Sequence, residues 1–296
     1  MKIIITGAGG QLGRDCTKVF AGKNEVLAFD SSQMDISNHK HVDSVITAEK
    51  PDVIINCAAF TAVDACETER ELAGKINADG PAYLARAAEK TGSRLVHIST
   101  DYVFSGSKPI PEYYIEEDET GPLSQYGITK LAGERAVLKY CGNSLCLRTA
   151  WLYSGYGKNF LKTILKMALS DPQKDFTIVD DQYGSLTWSY TLARQIARLL
   201  DSDLIGIVHA TAEGYSSWYE AACYFLNAMQ LPHNFKPCKT EDYPTPAHRP
   251  ANSNLENGVL KREGLSLFVD WREDLDSFAA EFGQQLAAEA GNALTC

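Results

Sequence analysis

The sequence predicts an α/β fold, a doubly wound parallel sheet with a smaller C-terminal lobe that would hold a substrate. Three observations predict it. Short, nearly continuous apolar runs such as Ile3-Ile4-Ile5 and Val53-Ile54-Ile55 alternate with helix-like stretches through the first half of the chain. A run of glycines follows the first apolar run and opens the first helix. After residue 150 the alternation becomes irregular, and prolines accumulate at 232, 237, 244, 246 and 250. Apolar strands interleaved with helices imply a parallel sheet covered on both faces, with ligands at the strands' carboxyl ends.

In order, the strands expected are Lys2–Thr6, Glu25–Phe29, Asp52–Asn56, Arg94–Ser99 and Ser144–Arg148, with Ile207–Ala210 as one more. Helices are expected at Gln11–Phe20, from about Glu67 to Lys90, at Ser124–Tyr140, Asn159–Leu169 and Tyr190–Leu200. Ser216 is placed to cap a further helix through Trp218–Met229. Residues 1–150 plus about 187–212 then form a dinucleotide-binding domain, and about 151–186 and 213–296 a substrate-binding lobe.

Composition excludes several classes. At 296 residues the chain can bury a large core, and 45% apolar with 22% charged residues is ordinary globular usage. No apolar run approaches the ~20 residues that cross a bilayer, and no signal-peptide core follows Met1, so no membrane partner and a cytoplasmic protein are expected. The eight cysteines form no C-x-x-C pair and read as reduced thiols. Among six histidines there is no H-E-x-x-H, and His39 and His41 lie in a polar segment, so no metal site is assigned. A formal net charge of −10 opposes nucleic acid as a partner. A small anionic ligand remains compatible, held by backbone N–H groups and a few arginines.

The glycine run is Gly7-Ala8-Gly9-Gly10-Gln11-Leu12-Gly13. Between a strand and a helix, such glycines permit a sharp turn, close approach to a pyrophosphate and tight helix packing. The phosphates then meet free N–H groups at the helix's positive end. This is the phosphate turn of a Rossmann-type sheet. Asp30, ending the second strand, can accept hydrogen bonds from the adenosine ribose. That favours NADH, while Ser31 and Ser32 leave NADPH open.

Tyr126 and Lys130 lie four residues apart, on one face of a helix. Reducing a ketone requires a hydride on carbon and a proton on oxygen. A nearby ammonium is expected to pull the phenol's pKa down from near ~10 and make it a competent general acid. Thr100 stands at the end of the fourth strand, where its hydroxyl can polarise a substrate carbonyl.

The spacing Gly7, Gly10, Gly13 resembles the extended short-chain dehydrogenase/reductases. The chain resembles, over nearly its whole length, the dTDP-4-dehydrorhamnose reductase family among them. The resemblance rests on Gly7–Gly13, Asn56–Asp64, Ser99–Phe104, Tyr126–Glu134, Arg148–Tyr153, Asn159-Phe160, Asp181–Gly184 and Arg249–Ser253. It implies NADPH- or NADH-dependent reduction of the 4-keto group of a dTDP-linked 6-deoxy-hexulose, giving dTDP-L-rhamnose for cell-surface polysaccharide.

It also implies residue roles. Tyr126 would donate the proton, with Lys130 its helper and Thr100 its partner at the oxygen. Gly10, Gln11 and Leu12 would line the pyrophosphate, Asp30, Asp35 and Ile36 the adenosine, and Ala58, Ala59 and Thr61 the path to the nicotinamide. Thr100, Asp101 and Trp151 would contact the sugar, although Trp151 reads equally as a core aromatic. Arg249, Asn252 and Ser253 would meet the nucleotide end, with a structural loop as the alternative.

Leu186 stands where the family commonly has proline, which would relax that loop. Some members carry Mg²⁺ on carboxylates between subunits. The acids Glu273, Asp274 and Glu281 read here as a solvated helix face, so no ligand is assigned, and a homodimer stays compatible. Two competing readings remain. A related 4,6-dehydratase or epimerase is one, though Tyr102 replaces the glutamic acid that dehydratases place after Thr-Asp. The other is a non-catalytic dinucleotide-binding regulatory subunit, as in the beta subunit of methionine adenosyltransferase.

Overall fold

The computed structural model describes residues 1–295, with side chains described to Gly291; Cys296 lies outside the described residues. Six strands form the main sheet: β1 (Lys2–Thr6), β2 (Glu25–Phe29), β3 (Val53–Asn56), β4 (Arg94–Thr100), β5 (Ser144–Thr149) and β6 (Gly206–His209). All neighbours are parallel, in the order β6-β5-β4-β3-β1-β2. The chain turns to opposite sides after β1, placing β2 on one flank and β3 on the other. That switch point opens a crevice at the carboxyl ends of β1 and β3.

The strands are apolar on both faces because both are covered. Ile3, Ile5, Ile55, Val96 and Leu147 pack against helices Gln11–Phe20 and Ser189–Leu200. Ile4, Ile54, Leu95 and Cys146 pack against helices His39–Glu49, Gly80–Thr91 and Gln125–Tyr140. A separate core gathers Tyr153, Leu161, Trp188, Phe225, Trp271 and Phe278 from the later chain. Leu186 is 1% exposed within it, and Thr187 Oγ1 donates to the Ser185 carbonyl, so the loop around Leu186 is packed rather than relaxed.

Several expectations need correction. The polar segment at His39 is the first turn of a helix, capped by Asn38 accepting from the His41 N–H, with Val42 and Ile46 buried. The helix expected from about Glu67 to Lys90 runs without a gap from Arg70 to Thr91 but contains a π turn: α-helix at Arg70–Gly74, π at Lys75–Asp79, then α-helix at Gly80–Thr91. The π turn carries Asn77, which donates to the Phe60 carbonyl and Thr129 Oγ1 and accepts from the Phe60 N–H. It thereby ties the segment after β3 to the helix of Tyr126, the kind of placement for which π turns are kept. The cap of helix Trp218–Ala228 is Ser217, not Ser216, in a reciprocal capping box with Glu220. Asp274 is buried and accepts from Thr191 Oγ1, so it departs from the solvated face expected of it, while Glu273 and Glu281 are exposed, Glu281 pairing with the exposed Lys18 at 3.1 Å.

Among the described residues, no helix is long and apolar enough to cross a membrane, and no cluster of three or more His, Cys, Asp or Glu side chains could hold a metal ion. Their seven cysteines are all free.

Candidate active site

A cleft of about 800 Å³ runs across the carboxyl ends of β1, β3, β4 and β5. At one end lies the glycine turn. Gly7 has a φ of +67°, and a Cβ there would stand 2.6 Å from the Ala58 nitrogen. Only glycine fits. Gly10 is the N-cap of the first helix and offers no side chain, so the helix's leading N–H groups are open to an anion. Gly13 provides the tight helix packing expected of the glycine run. A Cβ on it would stand 2.2 Å from the Gly7 carbonyl, so it packs helix against turn and does not line the cleft.

Asp30, Asp35 and Ile36 line the cleft beyond β2, as Ala58, Ala59 and Thr61 do beyond β3. One oxygen of Asp30 accepts from the Ser32 N–H at 2.8 Å and Ser32 Oγ at 2.6 Å, which holds its carboxyl below the usual range. Asp35 holds Ser37 in the same way. Each carboxylate keeps one oxygen with no hydrogen bond among the described residues, available for a ribose. The open helix end, the Gly7 approach and these carboxylates together fit a dinucleotide.

The reactive residues converge at the end of β4. Thr100 Oγ1 donates to Asp101 Oδ1 at 2.9 Å, and Ser253 Oγ donates to Asp101 Oδ2 at 2.5 Å. Asp101 is 4% exposed, and burial pushes its carboxyl up to about 6 against those hydrogen bonds. Helix Gln125–Tyr140, capped by Ser124 Oγ accepting from the Gly127 N–H, brings Tyr126 and Lys130 to the same place. It approaches closely: a Cβ on Gly127 would stand 2.2 Å from the Tyr102 carbonyl.

Lys130 is held by the backbone of β4. Its Nζ donates to the Ile98 carbonyl at 2.6 Å, and burial brings its ammonium down to about 8. The Tyr126 phenol is pushed up, first by burial and then by the neighbouring Asp101 charge, while the Thr100 hydroxyl works the other way. A buried phenol of raised pKa keeps its proton, the form a proton donor needs.

Trp151 lines the cleft and, half-buried, also packs against the core of the later chain. Its φ of 48° is uncommon for a bulky residue, and its ring stacks on Trp218 at 3.5 Å and 10°. Gly184 lies behind it, where a Cβ would stand 2.5 Å from Trp151 Cε2.

Of the three residues expected at the nucleotide end, Arg249 and Ser253 bond to side chains that line the cleft without lining it themselves, and Asn252 is turned to the chain's own carbonyls. Arg249 donates to Asp64 Oδ2 at 2.8 Å and to the Tyr102 hydroxyl at 3.2 Å, outside the cleft lining. Asn252 is 1% exposed; its amide donates to the Lys108 and Glu112 carbonyls, and its oxygen accepts from the Asn254 N–H. Its amide thereby ties this segment to the one at 108–112. Ser253 serves Asp101. Residues that sequence reasoning missed also line the cleft: Ser99, Tyr102, Thr149, Lys158 and Trp218. Asn159, noted only as a matching residue, lines it too, and its Nδ2 donates to Gln11 Oε1 at 3.1 Å across the glycine turn.

Residues 1–284 match the family described as the RmlD substrate binding domain. The dTDP-4-dehydrorhamnose reductase of Escherichia coli (strain K12) is 37% identical over 287 residues, covering 92% of this chain and 95% of that protein. That of Mycolicibacterium smegmatis is 40% identical over 287 residues, covering 95% and 86%. The chain belongs to the dTDP-4-dehydrorhamnose reductase family.

Solved members of the family superpose closely. The Clostridium acetobutylicum enzyme gives a TM-score of 0.92 at 41% identity, over 96% of this chain and all (100%) of that one. The Bacillus anthracis enzyme, in complex with NADP, gives 0.91 at 37% identity, over 95% and 99%. A Thermus thermophilus UDP-glucose 4-epimerase in complex with NAD, at 20% identity and a TM-score of 0.80, shares the fold.

Proposed function

We propose that this protein reduces the 4-keto group of a dTDP-4-dehydro-6-deoxy-L-hexose to dTDP-L-rhamnose, using NADPH or NADH. The observation that carries the reading is the convergence of Tyr126, Thr100 and Asp101 at the end of β4, facing a cleft that opens on the glycine turn. Bound along that cleft, the reduced nicotinamide would supply the hydride. Tyr126 holds the proton for the developing alkoxide, because burial keeps the phenol protonated. Thr100 rests with its hydroxyl proton on Asp101 Oδ1, and would turn that one proton to the same oxygen to polarise it. Lys130, fixed on the Ile98 carbonyl, places a buried positive charge beneath the site and offsets negative charge as the proton leaves Tyr126.

Trp151, stacked on Trp218, supports a flat apolar wall for the sugar. The separate core around Tyr153 and Trp271 supports a division into a dinucleotide-binding part and a substrate-binding lobe at about 151–186 and 213–296. The free cysteines and the nucleotide-sugar chemistry support a cytoplasmic site of action.

The test is a spectrophotometric assay of purified protein with dTDP-4-dehydrorhamnose and either reduced cofactor. Oxidation of the cofactor by the parent, reduced ~10²–10⁴-fold in Tyr126→Phe, supports the reading. Absence of turnover by well-folded parent overturns it.

A further inference from the structure

The cleft contains a second strand-end hydroxyl, and unlike that of Thr100 it is unmatched. Thr149 ends β5, and the parallel register sets it directly beside Thr100 on β4. Strand alternation puts both side chains on the sheet face to which Ile98 and Leu147 belong, the one covered by helices Gln11–Phe20 and Ser189–Leu200. Thr149 is 5% exposed and lines the cleft, yet its Oγ1 is buried with no hydrogen-bond partner among the described residues. Buried hydroxyls are nearly always matched, and an exception inside a binding cleft calls for a ligand group that completes it.

The cleft's polarity identifies that group. The glycine turn takes the pyrophosphate and Asp30 the adenosine end, which leaves the nicotinamide at the ends of β4 and β5. There the lining around Thr149 is apolar, from Leu12, Cys57, Ile98, Ala150 and Leu152. Such a lining suits the faces of a flat ring. It offers the ring's one polar substituent, the carboxamide, few polar neighbours. On the reductase reading, Tyr126 and Thr100 serve the substrate oxygen instead.

We propose that Thr149 is a cofactor-positioning residue, its hydroxyl bonding the nicotinamide carboxamide and seating the ring beside Thr100 and Tyr126. This rests on the reductase reading above. A hydroxyl can both donate and accept, so it matches either end of a carboxamide.

Binding, measured without substrate, tests it. Quenching of tryptophan fluorescence is followed as NADPH, or 2′-phospho-ADP-ribose lacking the nicotinamide, is titrated into the parent, Thr149→Val and Thr149→Ser. The valine variant preserves shape, and its melting temperature reports the fold. NADPH binding is expected to weaken about tenfold in Thr149→Val, the ~1.4 kcal/mol of one hydrogen bond. The fragment should bind all three proteins within about twofold, and Thr149→Ser should restore NADPH binding. Unchanged NADPH binding in Thr149→Val, or equal weakening for NADPH and the fragment, overturns the proposal. If neither ligand binds the folded parent, the dinucleotide reading itself falls and takes the proposal with it.

Discussion

Ser253 donates its hydroxyl to the Asp101 carboxylate at 2.5 Å, joining a loop near the C-terminus to the end of β4. The partner is a carboxyl raised from 3.8 to about 6 by burial. Between those values the folded protein keeps a proton that the unfolded chain releases. Stability contributed by this group is therefore present at low pH and falls as pH rises from about 4 to about 6. Asp101→Asn removes that dependence. Melting curves from pH 4 to 7 should show the parent losing on the order of 3 kcal/mol relative to the variant across the window. Parallel curves would refute the assignment.

The contact of Gly127 with the Tyr102 carbonyl leaves no room for a methyl group. Gly127→Ala should cost ~1–3 kcal/mol in denaturant unfolding, since backbone must shift to relieve the overlap. Because Tyr126 is the adjacent residue, turnover should fall as well, more than NADPH binding does.

Trp218 stacks on Trp151 at the cleft wall, and its Nε1 donates to Gln182 Oε1 at 3.2 Å. Trp218→Ala removes that support while leaving the glycine turn alone. The expected outcome is a KM for the sugar nucleotide raised about tenfold, consistent with loss of one aromatic stack and its packing. The dissociation constant for NADPH should be unchanged.

Arg148 and Glu134 form a two-pronged ion pair at 2.6 and 3.0 Å, each side chain 2% exposed. Glu134→Ala strands a guanidinium in the core and should destabilise the protein by ~3–5 kcal/mol in urea unfolding. A double change of Arg148 and Glu134 to Met and Leu should recover much of that loss, because no unpaired charge remains.

The sheet was legible because a strand buried on both faces must be apolar throughout, as Ile3–Ile5 and Val53–Ile55 are. Tyr126, Lys130, Thr100 and the glycine turn were legible because their chemistry demands particular residue types at particular spacings. Helix His39–Glu49 was not, since it opens on Asn38, His39, Lys40 and His41 and buries only Val42 and Ile46. Asn252 shows the opposite failure. A polar loop residue reads alike whether it faces a ligand or ties two segments together, and the Asn252 amide here is engaged by the distant Lys108 and Glu112 carbonyls. Thr149 carried no signal, being one more β-branched residue at a strand end. The direction of the Tyr126 shift depends on burial, which spacing cannot convey.

Gly184 behind Trp151 bears on how this site could change over generations. A larger residue at 184 would collide with the indole and expel it from its left-handed backbone pose, so the sugar-facing wall has one immovable side. Drift toward other hexoses is therefore channelled through the Trp218 side, where a smaller ring deepens the groove without disturbing what lies behind.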